Sequence, residues 1–140
     1  TASVNVNERL LSLNQLAHTY MQSRNDTYVM ELAIQYIRRN YPKPITLAMV
    51  SNEVSLNYAY FSAMFSKYTG KTFSEYLRNT RMEKAKELLR QPDISIAEVA
   101  AKVGYENYKS FYRAFKDAVG TTPVEYQQKK YIIHREDEKQ

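Results

Sequence analysis

Apolar residues recur at helical spacing along most of the chain, and the clearest run lies between residues 94 and 126. Four of its apolar positions share one helix face, namely Ile96, Val99, Ala100 and Val103. Gly104 follows the last of them, where a residue with a left-handed backbone conformation ends a helix. Phe111 and Phe115 lie four residues apart and give the next helix its inward face. The pattern predicts two short helices separated by a tight turn.

Polar residues mark the beginning of both helices. Ser95 and Glu98 form an S-x-x-E capping box before the first helix, and Asn107 suits the cap of the second. The second helix leaves an outer face rich in hydrogen-bond donors, formed by Tyr108, Lys109, Tyr112, Arg113 and Lys116. Two short helices with a glycine-containing turn and donors on the second are typical of a DNA-reading helix-turn-helix.

The same pattern occurs once earlier in the chain. The apolar positions of the first helix return about 49 residues upstream, as Leu47, Val50, Ser51 and Val54. After the turn the offset becomes about 50, so the second turn carries one extra residue. At this offset, seven residues of the later copy have identical counterparts in the earlier one, namely Asn57, Phe61, Phe65, Gly70, Thr72, Glu75 and Tyr76. Two copies are too few for a stacked solenoid, so the sequence predicts a duplicated helix-turn-helix, over about 46–70 and 95–120.

Helical patterns fill the rest of the chain, and no stretch alternates as a strand does. We therefore predict an all-α chain of about eight helices. One longer helix is expected to join the two units over about 72–90, and another covers 27–40 and ends before Pro42 and Pro44. The last helix is expected to fray into a charged, disordered tail over 131–140.

Residues 1–25 differ in composition from the domain predicted over 26–130. Five apolar residues there are spaced alternately four and three positions apart over about two heptads, namely Val6, Leu10, Leu13, Ala17 and Tyr20. A break over 23–26 is predicted, with Asp26 capping the next helix. Two interpretations stay open: this helix docks on the domain, or it is the end of a signalling or dimerising helix from an upstream region. Because the sequence begins with Thr1, we expect a piece of a longer protein.

Composition and charge narrow the class of function. The chain has 140 residues, and its net charge of +5 favours a polyanionic partner. The absence of cysteine excludes disulfides and favours a reducing cytoplasm. No apolar run suits a signal peptide or a membrane span. His18 and His134 stand alone, so no metal site is expected. No carboxylate pair, catalytic triad or phosphate-binding glycine loop supports an enzyme or a cofactor.

Three motifs are specific enough to indicate a family. They are Phe73-x-x-Tyr76-Leu77-x-x-x-Arg81-x-x-x-Ala85-x-x-Leu88-Leu89, Ile96-x-Glu98-Val99-Ala100-x-x-Val103-Gly104-Tyr105 and Phe111-x-Arg113-x-Phe115-Lys116-x-x-x-Gly120-x-Thr122-Pro123-x-x-Tyr126. Over residues 28–130 the chain resembles the AraC/XylS family of bacterial transcription regulators. The resemblance implies a seven-helix domain in which a rigid central helix joins two helix-turn-helix units. It also implies sequence-specific binding to double-stranded promoter DNA, usually to activate transcription.

Further partners follow from the resemblance. Family members usually carry a separate sensory, oligomerising or receiver domain, often N-terminal, and this sequence contains none. RNA polymerase is the partner expected of an activator, and no cofactor is implied.

The resemblance also implies which residues read bases, since the family uses the outward face of each recognition helix. Those positions are Tyr58, Ala59, Ser62 and Ala63 in the first unit and Tyr108, Lys109, Tyr112 and Arg113 in the second. Asn57, Tyr60, Lys67, Asn107 and Lys116 complete the set of DNA-binding candidates. Many members have Arg or Gln in place of Ala63, so the first unit is expected to discriminate bases less. Arg81 is expected to brace the central helix.

The competing interpretation is a helical protein-interaction module without DNA binding. It accounts for the all-α pattern and the amphipathic N-terminus. It does not account for basic and tyrosine-rich surfaces at equivalent places in both repeats, which favours DNA.

Overall fold

Seven helices make up the part of the chain that the computed structural model describes, residues 2–138 without the side chains of residues 2–8, 10, 11 and 130–135. They are α1 (Ala2–Asn40), α2 (Leu47–Glu53), α3 (Tyr58–Thr69), α4 (Phe73–Leu88), α5 (Ile96–Lys102), α6 (Tyr108–Val119) and α7 (Pro123–Glu138). These residues contain no strand, and the predicted all-α class is confirmed. None of the helices described here is long and apolar enough to span a bilayer.

The duplicated helix-turn-helix is present, with α2 and α3 as the first unit and α5 and α6 as the second. Both turns use one backbone motif, in which the N–H of Leu56 or of Tyr105 donates over 2.9 Å to a carbonyl five residues back. That bond is typical of a Schellman motif, which needs a left-handed residue just before the donor. Gly104 supplies it in the second unit with φ 101°, and Ser55 supplies it in the first with φ 57°.

Two hydrophobic clusters form the core, and α4 belongs to both. Phe73 and Leu77, in its N-terminal half, pack in the first cluster with α1, α2 and α3. Met82 and Ala85, in its C-terminal half, pack in the second cluster with α5 and α6. The two units are therefore joined through a shared packed helix, as the sequence predicted, and not through a loose linker.

One arginine near the middle of α4 ties this helix to both units. The Arg81 Nε donates to the Tyr41 carbonyl over 2.8 Å, and its Nη2 donates to the Lys43 carbonyl over 3.0 Å. Its guanidinium also lies 5.5 Å from the ring centre of Tyr105 in the second unit. The turn of the second unit closes on the same segment, because a Cβ at Gly104 would meet a backbone oxygen at 2.9 Å. Arg81 therefore occupies the bracing position predicted for it.

The predicted break over residues 23–26 is wrong, since α1 runs without interruption for 39 residues. Asp26 does not cap a helix; its carboxylate accepts hydrogen bonds from the side chains of Gln22, over 3.1 Å, and Tyr60, over 3.2 Å. Polar residues such as Ser and Asn are only weakly unfavourable inside a helix, and packing that begins near Met30 anchors the helix from its C-terminal side. One helix thus replaces the two that were predicted.

The prediction of a disordered tail over 131–140 is wrong for residues 131–138, because α7 continues to Glu138. Glu, Lys, Arg and Gln are good helix formers, so high charge alone does not end a helix. Residues 139 and 140 lie outside the described part of the chain.

The N-terminal half of α1 does not pack on the domain at the positions that can be judged. Leu13, Leu16, Tyr20 and Met21 are all more than 60% exposed. The side chains of Val6 and Leu10, the other large members of the predicted stripe, lie outside the described residues. Docking of this stripe on its own domain is therefore not observed over residues 13–21.

Candidate nucleic-acid interface

Asparagine caps begin the second helix of each unit, as predicted. The Asn57 Oδ1 accepts hydrogen bonds from the backbone N–H groups of Ala59 and Tyr60, over 2.9 and 3.2 Å. The Asn107 Oδ1 accepts one from the N–H of Lys109 over 2.8 Å. Each cap satisfies donors that the first turn leaves unpaired, so α3 and α6 begin at equivalent, fixed points.

Paired phenylalanines orient these helices. Phe61 and Phe65 on α3 and Phe111 and Phe115 on α6 are fully buried, with ring centres 5.6 and 5.8 Å apart within each pair. Because side chains four positions apart share a helix face, the opposite face of each helix is left to solvent. These aromatic residues are core residues, as the sequence predicted.

The outer face of α6 is basic and aromatic. Lys109, Arg113 and Lys116 are exposed, and the rings of Tyr108 and Tyr112 lie 6.2 Å apart beside them. Within the described part of the chain, no carboxylate lies at salt-bridge distance from these three cations. Lysines and arginines that are exposed and unpaired are free to meet an external anion.

The outer face of α3 is small and uncharged by comparison. Tyr58 is 55% exposed, Ala59 and Ala63 are exposed, and Ser62 is half-buried. Such a face can reach a thymine methyl group or donate a hydroxyl, but it cannot make the bidentate guanine bond of arginine. The outer faces of α3 and α6 therefore differ in charge, and weaker base discrimination by the first unit stays a prediction.

Two predicted contact residues lie apart from the rest. The Tyr60 hydroxyl is 3.2 and 3.4 Å from the two carboxylate oxygens of Asp26 on α1. Lys67 borders a cleft that also faces α1, beside Asp26 and Met30. Two positions along a helix rotate a side chain by about 200°, so Tyr60 cannot share the face of Tyr58. The sequence alone did not show which side α1 would occupy.

Arginines of α4 lie close to the turn of the second unit. Burial raises the pKa of the Tyr105 hydroxyl above its ordinary value, and the guanidinium groups of Arg81 and Arg78 oppose that shift. Because a tyrosine hydroxyl is already protonated at neutral pH, the raised pKa of Tyr105 leaves its state there unchanged. Sequence reasoning did not select Arg78 as a site residue.

Comparison with known proteins decides the family. A family model described as a helix-turn-helix domain matches residues 50–129. The chain is 31% identical over 117 residues to the transposon Tn10 TetD protein of Escherichia coli, covering 84% of this chain and 85% of TetD. The chain belongs to the AraC/XylS family of transcription regulators.

Other AraC/XylS relatives are larger than this chain. It is 34% identical over 97 residues to the HTH-type transcriptional regulator YtdP of Bacillus subtilis, covering 69% of this chain and only 13% of YtdP. Among solved structures, the C-terminal domain of AraT, a response regulator from Geobacillus stearothermophilus, superposes with a TM-score of 0.69 at 34% identity, covering 72% and 84% of the two chains. This chain therefore corresponds to a small part of at least one of its relatives.

Membership of the AraC/XylS family settles the broad class. Its members are DNA-binding transcription regulators and not enzymes. In the described residues, no group of three His, Cys, Asp or Glu side chains is arranged to hold a metal. α3 and α6 are the second helices of the two helix-turn-helix motifs of this fold, and the contact residues on them stay a prediction.

Proposed function

We propose that this chain is the promoter-binding part of a bacterial transcription activator, with α3 and α6 inserted into adjacent major grooves of double-stranded DNA. The observation that carries the proposal is the outer face of α6, where three unpaired cations and two tyrosines project from a capped and anchored helix. Arginine and lysine on such a helix can donate to guanine or to phosphate. The proposed contacts are those predicted from the sequence, with Tyr60 and Lys67 at the edge nearest α1.

The remaining partners belong to the same proposal. The chain spans only 13% of YtdP, which is consistent with a separate sensory or receiver domain upstream. An activator of this class contacts RNA polymerase and works in the cytoplasm. The predicted alternative, an interaction module without a DNA role, has no support in the family to which the chain belongs.

Selection of bound sequences from a random DNA pool tests the proposal directly. The chain should enrich a motif of two half-sites, and its affinity for that motif should fall as salt rises, because binding releases counterions. Random DNA of equal length is the control for non-specific attraction by the net positive charge. Failure to enrich any motif, with equal affinity for all pools, would contradict the proposal.

Base reading by α6 is tested at Arg113. If the exposed guanidinium pairs with a guanine, Arg113→Ala should cost about 1–3 kcal/mol of binding free energy and relax the preference at one base pair. Arg90→Ala is a matched control, because Arg90 is also exposed but lies outside both recognition helices. Equal loss on selected and random DNA would make Arg113 a phosphate contact instead.

The exposed stretch of α1 is proposed to pair with a second copy of this chain. Apolar residues at alternating four and three spacing form the seam of a two-stranded coiled coil, and Leu13 and Tyr20 are both exposed. Sedimentation equilibrium should show a concentration-dependent dimer that Leu10→Asp with Leu13→Asp abolishes, because both positions belong to the predicted seam. Ser12→Asp with Gln15→Asp adds the same charge without removing apolar surface. A dimer that survives the leucine changes, or no dimer at all, would contradict this part of the proposal.

A further inference from the structure

A cleft of about 560 Å³ lies between the two units on the side of α3. Its walls are α3, the segment 45–47 at the start of α2, the N-terminal half of α4, and the Tyr105 turn of the second unit. Tyr58 and Ser62 line it, and both belong to the outer face of α3. The cleft therefore opens beside the surface proposed to enter the first major groove.

The chemistry of the cleft suits an anion. Arg78 and Arg81 line it together with hydroxyl groups such as those of Ser62 and Ser74, and no carboxylate lines it. The Nε and Nη2 of Arg81 are already donated to backbone carbonyls. Arg78 is exposed, and no carboxylate in the described part of the chain lies at salt-bridge distance from it. Arg78 is thus the charged group with free donors.

The two repeats carry their cations at different positions. At an offset of 50 residues, α3 has a small neutral residue at three positions where α6 has a cation: Ala59, Ala63 and Ser66 against Lys109, Arg113 and Lys116. On the following helix, Arg78 of α4 corresponds to Gln128 of α7, whereas Asn79 and Thr80 of α4 correspond to Lys129 and Lys130. The small residue Ser66 lines the cleft where a lysine would partly fill it.

We propose that this cleft binds a phosphate of the DNA backbone between the two half-sites, with the Arg78 guanidinium as its charged donor and cleft hydroxyls as further donors. The inference rests on the proposed function. It assigns the first unit an anchoring role in place of the bidentate guanine bonds that its alanines cannot make. Phosphate contacts fix register and orientation and carry no sequence information directly.

A DNA phosphate is favoured over a free small anion because the site is open and offers one free arginine. A free anion there would gain little, as in an exposed surface ion pair. A phosphate that belongs to DNA already held by α6 is delivered at high effective concentration. Binding at the cleft is therefore expected only together with binding at α6.

The salt dependence of DNA binding tests the assignment. Each phosphate contact adds about 0.9 to the slope of log affinity against log salt. Arg78→Gln, which introduces the side chain that α7 has at the equivalent position, should reduce the slope by about 0.9. Between about 50 and about 200 mM salt, the loss of affinity should consequently be about 3.5-fold smaller than for the unchanged chain. Arg78→Lys should restore most of the slope, since it retains the charge.

Arg90→Gln is the matched control, because it removes the same charge from an exposed position outside the cleft. It should leave the slope unchanged. Equal effects of Arg78→Gln and Arg90→Gln would reduce the role of Arg78 to general charge and overturn the proposal. Since Arg78 is exposed, both variants should keep the unfolding temperature of the unchanged chain. A lowered unfolding temperature for Arg78→Gln alone would also count against a binding role.

Single methylphosphonate substitutions locate the phosphate. One neutralised phosphate between the half-sites should weaken binding of the unchanged chain and have no further effect on Arg78→Gln. If the sensitive phosphate lies outside that interval, the assignment to this cleft fails. Saturable binding of inorganic phosphate at submillimolar concentration without DNA would instead make the cleft a small-anion site. If the unchanged chain binds no DNA, the proposed function itself fails, and the two failures are thereby distinguished.

Discussion

Arg81→Ala should lower the free energy of unfolding by about 2–3 kcal/mol, because it removes two charge-assisted hydrogen bonds, each worth about 1.5–3 kcal/mol before discounting for partial exposure. The Tyr41 carbonyl loses its Arg81 donor, whereas the Lys43 carbonyl still accepts from the N–H of Ile45 over 2.8 Å. Loss of the guanidinium over Tyr105 adds to the effect. Urea unfolding followed by circular dichroism measures it.

Two matched variants show whether the geometry of Arg81 matters or only its charge. Arg78→Ala removes a charge from the same helix, but from an exposed side chain, and should change stability by less than about 0.5 kcal/mol. Arg81→Lys keeps the charge but has no planar fork to reach both carbonyls, so it should recover only part of the stability. Equal destabilisation by Arg78→Ala and Arg81→Ala would contradict the bracing role.

Features that depend on local sequence were predictable. The Ser95 hydroxyl accepts a hydrogen bond from the backbone N–H of Glu98, as the S-x-x-E capping box predicted. Thr46 and Thr72 cap α2 and α4 in the same way. Such bonds need only the residues of one turn. The duplicated turns followed from apolar spacing for the same reason, although a left-handed serine at Ser55 was not expected in the first unit.

Features that depend on packing were not predictable from one sequence. Ser23 and Asn25 resemble a helix break locally, yet α1 continues because its next turns are anchored in the first core. Tyr58 and Tyr60 are both exposed aromatic residues near the start of α3, and only the position of α1 distinguishes their surroundings. Arg78 belongs to no motif, and the only sign of it in the sequence is that the other repeat has Gln128 at the equivalent position. The cleft that Arg78 lines forms only when the units pack together.

Inserting about five base pairs between the two half-sites should abolish simultaneous binding of α3 and α6. About half a helical turn of DNA moves one half-site to the opposite face, and α4 cannot follow because its two halves are packed in different cores. The expected loss of affinity is about 100-fold or more, which is the scale of linking two binding modules. Competition binding and footprinting measure the affinity and the length of DNA covered.

An insertion of about ten base pairs distinguishes a rigid monomer from two chains that each bind one half-site. It returns the half-sites to the same face but separates them by a further turn of about 34 Å. The 16 residues of α4 extend only about 24 Å, so a monomer should lose two-groove binding here too, whereas independently bound chains would regain it. The same shortfall against one turn predicts either that uninterrupted DNA bends toward the protein or that α3 enters its groove incompletely. Unchanged affinity and footprint after the shorter insertion would show that α4 does not hold the recognition helices at a fixed spacing.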